Sequence, residues 1–126
     1  MNLTELRKKL QLKPSFAGRI VGAPVYLKRE LIEWPAAMLT RRTLNLDYAI
    51  VFVRHKADLR KQLPRAVKWV GKAGALWFAY PNKSSGFATD LDRNRGWESL
   101  NKLGCKCVRS ISIDEDWTAL RFRVKG

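Results

Sequence analysis

The 126-residue sequence predicts an α/β sandwich with a mainly parallel sheet and an antiparallel hairpin at its C-terminal end. Residues 48–53 and 75–80 are continuous apolar runs, which is the pattern of strands covered on both faces. Between them, residues 56–71 place apolar side chains at helical spacing, so a helix should connect two strands that run in parallel. We expect one domain over residues 1–126.

Shorter patterns supply the other elements. Pro64 should kink or split the 56–71 helix, because proline lacks the N–H that an inner turn needs. Gly71 and Gly74 should end this helix. Residues 35–46 show no period and predict an irregular connection. The other expected helices span 3–10, 26–33 and 91–103, and the other expected strands span 19–21, 106–113 and 118–124.

The chain is strongly basic: 25 Lys and Arg against 11 Asp and Glu give a net charge of +14. Such a field attracts nucleic acid, anionic membrane surfaces or acidic partners. The longest strictly apolar runs are six residues, far short of the roughly 20 that a membrane-spanning helix needs. The N-terminus lacks the apolar centre of a signal peptide. We therefore expect a cytoplasmic protein with no membrane span; its oligomeric state stays open.

Metal and catalytic chemistry have little support in the residue types. His55 is the one histidine, and Cys105 and Cys107 form C-x-C instead of the C-x-x-C of redox or zinc motifs. We expect no metal site. Ser84 or Ser85 would need a nearby base to act as a nucleophile, and no G-x-S-x-G elbow is present. A catalytic residue is therefore not assigned, and a protein that is not an enzyme is favoured.

Polar residues follow the predicted strands at their carboxyl ends, where open α/β sheets bind ligands. If the first four strands run in parallel, these residues meet at one edge. We expect a small anionic or nucleotide-like ligand there. The alternative is a polar loop whose hydroxyls cap a helix, with acids that favour a tight turn. The expected ligand-binding residues are Arg54, Lys83, Ser84, Ser85, Thr89, Asp90, Asp114, Glu115 and Trp117.

A second hypothesis concerns the outer face of the 56–71 helix. Lys61, Arg65, Lys68 and Lys72 follow one another at spacings of four, three and four, which predicts one basic stripe. The stripe could contact a nucleic-acid backbone. The alternative is an ordinary solvated face.

Residues 46–123 carry a family resemblance through the stretches 47–54, 63–64, 74–86 with its Lys83-Ser84-Ser85-Gly86 loop, 89–91, 113–115 and 117–122. They resemble a family of small bacterial proteins known as domain of unknown function 3052, which implies a small bacterial cytoplasmic protein without an established activity.

The helix, glycine turn and apolar strand in 56–80 are also similar to the later half of a Rossmann-like methyltransferase domain. This similarity implies a Rossmann-like three-layer sandwich. It also leaves open an unusual or degenerate transferase, with Asp114, Glu115 or His55 in acid–base roles. Gly18 and Gly22 do not reproduce the glycine-rich first loop with which such enzymes hold S-adenosylmethionine, so the cofactor stays unassigned.

Overall fold

Five strands and four helices make up the part of the chain that the computed structural model describes: residues 3–31, 34, 39–40 and 44–123, without the side chains of 71–73. A 3₁₀ turn, Lys83–Ser85, follows the third strand. The elements are α1 Leu3–Lys9, β1 Gly18–Val21, α2 Val25–Leu31, β2 Leu46–Phe52, α3 Lys56–Trp69, β3 Val70–Pro81, α4 Glu98–Lys102, β4 Lys106–Ser112 and β5 Trp117–Arg123.

The strands form one mixed sheet in the order β1-β2-β3-β5-β4. β1, β2 and β3 pair in parallel, with Ile50 opposite Trp77 in the second pair. β5 runs antiparallel to both of its neighbours, with Phe78 of β3 opposite Leu120. β4 therefore runs in the same direction as the first three strands. The predicted sheet, mainly parallel with a C-terminal antiparallel hairpin, is confirmed.

The apolar runs of the central strands are continuous because both faces of the sheet are covered. Ala49 and Val51 of β2 belong to the core cluster under α3 and α4. Tyr48, Ile50 and Phe52 alternate with them and pack in a second cluster, which includes the leucines of α1 and α2. Each fully buried large side chain contributes about 1.5–3 kcal/mol. The three-layer α/β arrangement is confirmed.

Helix α3 is continuous through Pro64, so the predicted split is wrong. The proline removes one hydrogen bond, to the carbonyl of Arg60 one turn earlier. Both residues are exposed, so water can satisfy that carbonyl. Buried residues on the opposite side, such as Leu63 and Ala66, hold the helix against the sheet. The expected ending at the glycines is also wrong, because β3 begins at Val70.

The helix expected over 91–103 shortens to Glu98–Lys102. Asp92 accepts the N–H of Asn94 at 2.7 Å through its side chain, a local bond that competes with helix formation. Gly96 then adopts φ +100°, a left-handed conformation outside any helix. The prediction was wrong because the spacing of apolar residues along the sequence does not reveal such local turns.

Other expectations fall partly outside the described residues. These are the end of the 26–33 helix, most of the 35–46 connection and the last residue of the 118–124 strand. Within the described residues, every helix is too short or too polar to cross a membrane.

The contact between β1 and β2 yields a stability prediction. Gly18 pairs with Tyr48, and a Cβ added at Gly18 would lie 1.8 Å from a ring carbon of that fully buried tyrosine. We expect Gly18→Ala to lower the free energy of unfolding by about 3 kcal/mol in urea denaturation. Gly86→Ala is the control: its Cβ meets nothing within 4 Å, and only its φ of +79° opposes alanine, at about 1 kcal/mol. Equal losses in the two variants would contradict the close strand packing.

Candidate functional site at the carboxyl edge of the sheet

The carboxyl ends of four strands meet at one edge, because β4 runs in the same direction as β1, β2 and β3. The amino end of β5 lies at this same edge. The structure thus brings together the connections that were expected to share one edge. These connections are residues 22–24, 53–55, 82–90 and 113–116.

A groove of about 500 Å³ opens at this edge between α1, α2 and the β4–β5 turn. Leu6 and Ile113 form its apolar part, and both are buried. Lys9 is the one basic residue among its described lining residues. The remaining lining residues, Glu5, Tyr26, Glu30, Asp114, Glu115 and Asp116, include five of the chain's eleven acids. The groove is therefore a locally acidic region on a basic protein.

A hydrogen bond between Tyr26 and Asp114 fixes one wall of the groove. The Tyr26 hydroxyl donates to Asp114 Oδ2 at 2.5 Å. The other carboxylate oxygen, Oδ1, accepts the N–H groups of Asp116 and Trp117 at 2.8 and 2.9 Å. Asp114 thus joins the turn to the first turn of α2.

Partial burial raises the pKa of Tyr26 above its usual value of 10, and the hydrogen bond and negative charge of Asp114 raise it further. The Trp117 side chain acts in the opposite direction on this pKa. Tyr26 consequently remains a protonated donor at neutral pH. Sequence reasoning found Asp114 and Glu115 but missed Tyr26, because the two bonded residues lie 88 positions apart.

The hydroxyl groups expected to bind a ligand lie in the loop that follows β3, and each forms a hydrogen bond within the protein. The Ser84 hydroxyl donates to Asn82 Oδ1 at 3.2 Å, and Ser85 Oγ accepts the N–H of Phe87 at 3.1 Å. The Thr89 hydroxyl donates to the carbonyl of Arg54. These bonds hold the loop over the end of β2. Lys83 and Arg54 are exposed.

Two carboxylates occupy the beginning of α3. Asp90 Oδ1 accepts the N–H of Lys56 at 2.7 Å and lies 3.8 Å from Nδ1 of His55. Asp58 Oδ2 accepts the N–H groups of Arg54 and His55 at 3.1 and 3.0 Å. These negative charges stabilise the positive end of the helix dipole. The N–H groups of Arg54, His55 and Lys56 are therefore already bonded within the chain.

An aromatic stack lies beside the groove. The Arg54 guanidinium sits 4.6 Å from the centre of the Phe87 ring. That ring is 6.0 Å from Trp117, which contacts Phe52 edge to face at 5.1 Å. Trp117 is only 2% exposed, so the structure places this expected ligand residue in the core behind the turn.

The basic stripe is only partly as expected. Lys61, Arg65 and Lys68 are exposed on α3. Lys72 was expected on the same helix, and this is wrong: α3 ends at Trp69, so Lys72 lies in β3. The described residues contain no group of three or more His, Cys, Asp or Glu that could hold a metal ion.

Comparison with known proteins identifies the fold. No family model matches the chain, so the resemblance to domain of unknown function 3052 is not confirmed. No curated protein matches its sequence. A ribosomal protein L11 methylase from Lactobacillus delbrueckii subsp. bulgaricus is similar in structure, with a TM-score of 0.58 and 11% identity over 98% of this chain and 76% of that one. The Methanococcus jannaschii fibrillarin pre-rRNA processing protein has a TM-score of 0.48 and 14% identity over 88% of this chain and 56% of its own. The first likeness shows a methyltransferase-like fold.

The methyltransferase resemblance implies S-adenosylmethionine as a cofactor, but the backbone of the turn after β1 does not fit it. The turn contains Gly22, whose φ is +75°, and a Cβ there would lie 3.0 Å from the carbonyl oxygen of Phe52. Its glycine therefore permits close packing of the turn on β2. Ala23 is 8% exposed, and Pro24 has no N–H to offer a ligand. We assign no methyl-transfer step to this chain.

The burial of the tyrosines yields a pH prediction. Burial is the largest cause of the raised pKa at each of Tyr26, Tyr48 and Tyr80. Folding thus favours their protonated forms, and this stabilisation is complete below pH 10 and is lost as the pH rises through the folded-state pKa values. We expect the buried Tyr48 and Tyr80 to give no tyrosinate absorbance near pH 10 in the native protein, whereas all three tyrosines titrate near pH 10 in guanidinium. Two or more tyrosines ionising near pH 10 before unfolding would contradict this burial.

The position of Asp90 yields a stability prediction. Asp90→Ala removes the acceptor of the Lys56 N–H and a charge at the start of α3, so the free energy of unfolding should fall by about 1 kcal/mol. Glu115→Ala, which removes the same charge from an exposed turn, should change it by less than about 0.5 kcal/mol. Chemical denaturation measures both. An unchanged stability of Asp90→Ala would show that this carboxylate does not support the helix.

Proposed function

We propose that this protein is a small-molecule-binding domain whose ligand occupies the acidic groove. One observation carries the proposal: the groove opens at the carboxyl edge of the sheet, where the β4–β5 turn meets α1 and α2. Open α/β sheets bind their ligands at that edge. Its volume of about 500 Å³ is within the range of small-molecule sites.

The charges of the groove favour a ligand with a positively charged group, such as an organic amine. Its described lining contains five carboxylates and one ammonium group, that of Lys9. Arg54 and Lys83, the cations expected to hold an anion, are not among the lining residues. The N–H groups of Arg54 and His55 are bonded to Asp58, and that of Lys56 is bonded to Asp90. A cationic ligand therefore replaces the anionic or nucleotide-like ligand of the sequence-based hypothesis in our proposal.

The net charge of +14 repels a cationic ligand, whereas the carboxylates of the groove attract it. The distance of each charge from the ligand decides which effect is larger. At physiological ionic strength the screening length is about 8 Å, so cations elsewhere on the surface act weakly on a group inside the groove. Carboxylates in direct contact act strongly, since two charges 4 Å apart interact by about 1–4 kcal/mol in surroundings between water and a protein surface. The hydrocarbon part of an amine would pack on Leu6 and Ile113.

Binding without catalysis is part of the proposal. His55, a candidate general base, does not line the groove, and its neighbour is Asp90. Ser84 donates its hydroxyl to an amide oxygen, which is not a base. Asp114 is engaged by Tyr26 and by the turn, a structural role that fixes the wall of the groove.

Titration calorimetry with agmatine and spermidine tests the proposal, with AMP and inorganic phosphate as anionic comparisons. We expect one amine to bind per chain and Glu115→Gln to weaken that binding by up to about 5-fold, the effect of losing one exposed charge partner. Glu115 is exposed, and its side chain has no hydrogen bond to another residue that the structure describes.

The matched control is Asp92→Asn, which removes the same charge at a site outside the groove lining. The amine affinity of this variant should equal that of the wild type. Failure of both amines to bind would overturn the proposed function. Equal weakening by Glu115→Gln and Asp92→Asn would also overturn it, because the attraction would then belong to the whole charge and not to the groove.

A further inference from the structure

The acidic groove leaves the rest of the chain with a larger excess of positive charge than the sequence total suggests. The described lining of the groove contains five of the eleven acids and one of the 25 basic residues. The other residues therefore comprise 24 Lys and Arg and only six Asp and Glu. This excess is separate from the proposed ligand site, and its arrangement on α3 points to a partner of its own.

Three cations on the outer side of α3 have no acidic partner among the residues that the structure describes. Lys61, Arg65 and Lys68 are exposed, and none of them belongs to an ion pair among the described residues. The acid on this helix, Asp58, accepts the N–H groups of Arg54 and His55. A solvated face that only serves solubility usually mixes both signs of charge. Beyond the first turn, residues 60–68 contain no acid, so this part of the helix presents one sign.

Two arginines pack on the ring of Trp69: Arg65 of this face and a fourth cation, Arg19. The Arg19 guanidinium of β1 lies 4.5 Å from the centre of the Trp69 ring, and that of Arg65 lies 6.0 Å from it. Trp69 itself is only 5% exposed, so it is a fixed platform. Because the tryptophan orders both arginines before any partner arrives, less side-chain entropy is lost on binding. We call Arg19, Lys61, Arg65 and Lys68 the α3 face.

The spacing of these charges fits a nucleic-acid backbone. Lys61 and Lys68 lie seven residues apart, about 10 Å along the helix. A DNA duplex carries one negative charge per about 1.7 Å of its axis, so this length faces several phosphates. Among the described exposed large apolar residues the one aromatic is Tyr26, which belongs to the groove. The α3 face thus has no exposed ring on which a base could stack.

We propose that the α3 face docks on the phosphate backbone of nucleic acid without reading its sequence. Arg65 and Arg19 contact phosphates from the positions that Trp69 fixes, and Lys61 and Lys68 extend the contact along the helix. This contact uses neither the groove nor its carboxylates. It therefore stands or falls independently of the proposed function.

Fluorescence anisotropy with a labelled random-sequence DNA duplex tests the proposal on the full chain. We expect Lys61→Gln/Arg65→Gln/Lys68→Gln to lower the affinity at least about 10-fold and to flatten the slope of log affinity against log salt by about 2 to 3, one unit for each lost phosphate contact. The control Lys102→Gln/Lys106→Gln/Arg109→Gln removes three exposed charges on the α4–β4 side, so its net charge is the same. Its affinity should fall much less.

A charge-retaining variant, Lys61→Arg/Arg65→Lys/Lys68→Arg, should keep most of the affinity, and thermal melting of every variant checks its fold. Equal losses in the two glutamine triples would overturn the proposal, because the binding would then depend on total charge. No measurable duplex binding near physiological salt would overturn it as well. Polyglutamate is the acidic-protein comparison. If it binds more tightly than the duplex, and if Lys61→Gln/Arg65→Gln/Lys68→Gln abolishes this binding, the result would contradict a nucleic-acid partner and assign the face to an acidic protein.

Discussion

The direction of β5 is the constraint on which the candidate site depends. Because β5 runs antiparallel between β3 and β4, β4 keeps the direction of the first three strands. Four carboxyl ends therefore meet at one edge, and the turn that reverses the chain places Asp114 within reach of Tyr26. β5 can hold this central position because Ala119, Leu120 and Phe122 are buried between the helical layers. The place of Asp114 and its turn beside the groove is thus a direct result of strand order.

The separation of charge is the second feature that joins structure to function. The acids of the groove come from α1, α2 and the β4–β5 turn, whereas the cations of the α3 face lie on α3 and β1. Screening over about 8 Å lets two regions of opposite sign act on separate partners. A basic protein can in this way attract a polyanion and still offer a local site for a cationic group. The sequence total of +14 hides this arrangement.

The sequence was sufficient to predict the central sheet, but it was not sufficient to predict which residues surround the groove. Strands such as 48–53 could be predicted because burial on both faces leaves a continuous apolar run. The shortening of α4 could not be predicted, because it depends on a local turn at Asp92. The continuity of α3 could not be predicted either, because it depends on the solvent exposure of Pro64. The edge at which Asp114 and Glu115 lie followed from strand directions. Their neighbours Tyr26 and Glu5 come from distant parts of the chain, and only packing of the two helices brings them there.

The central claim is that the acidic groove receives the ligand, and chemical-shift mapping of the isotope-labelled protein during titration with agmatine tests it most directly. The account predicts saturable shifts of backbone amides in α1, in the first turn of α2 and at 113–116, where the groove residues lie. Saturable shifts confined to Arg54 and the 82–90 loop, with none at Tyr26 or the β4–β5 turn, would contradict it.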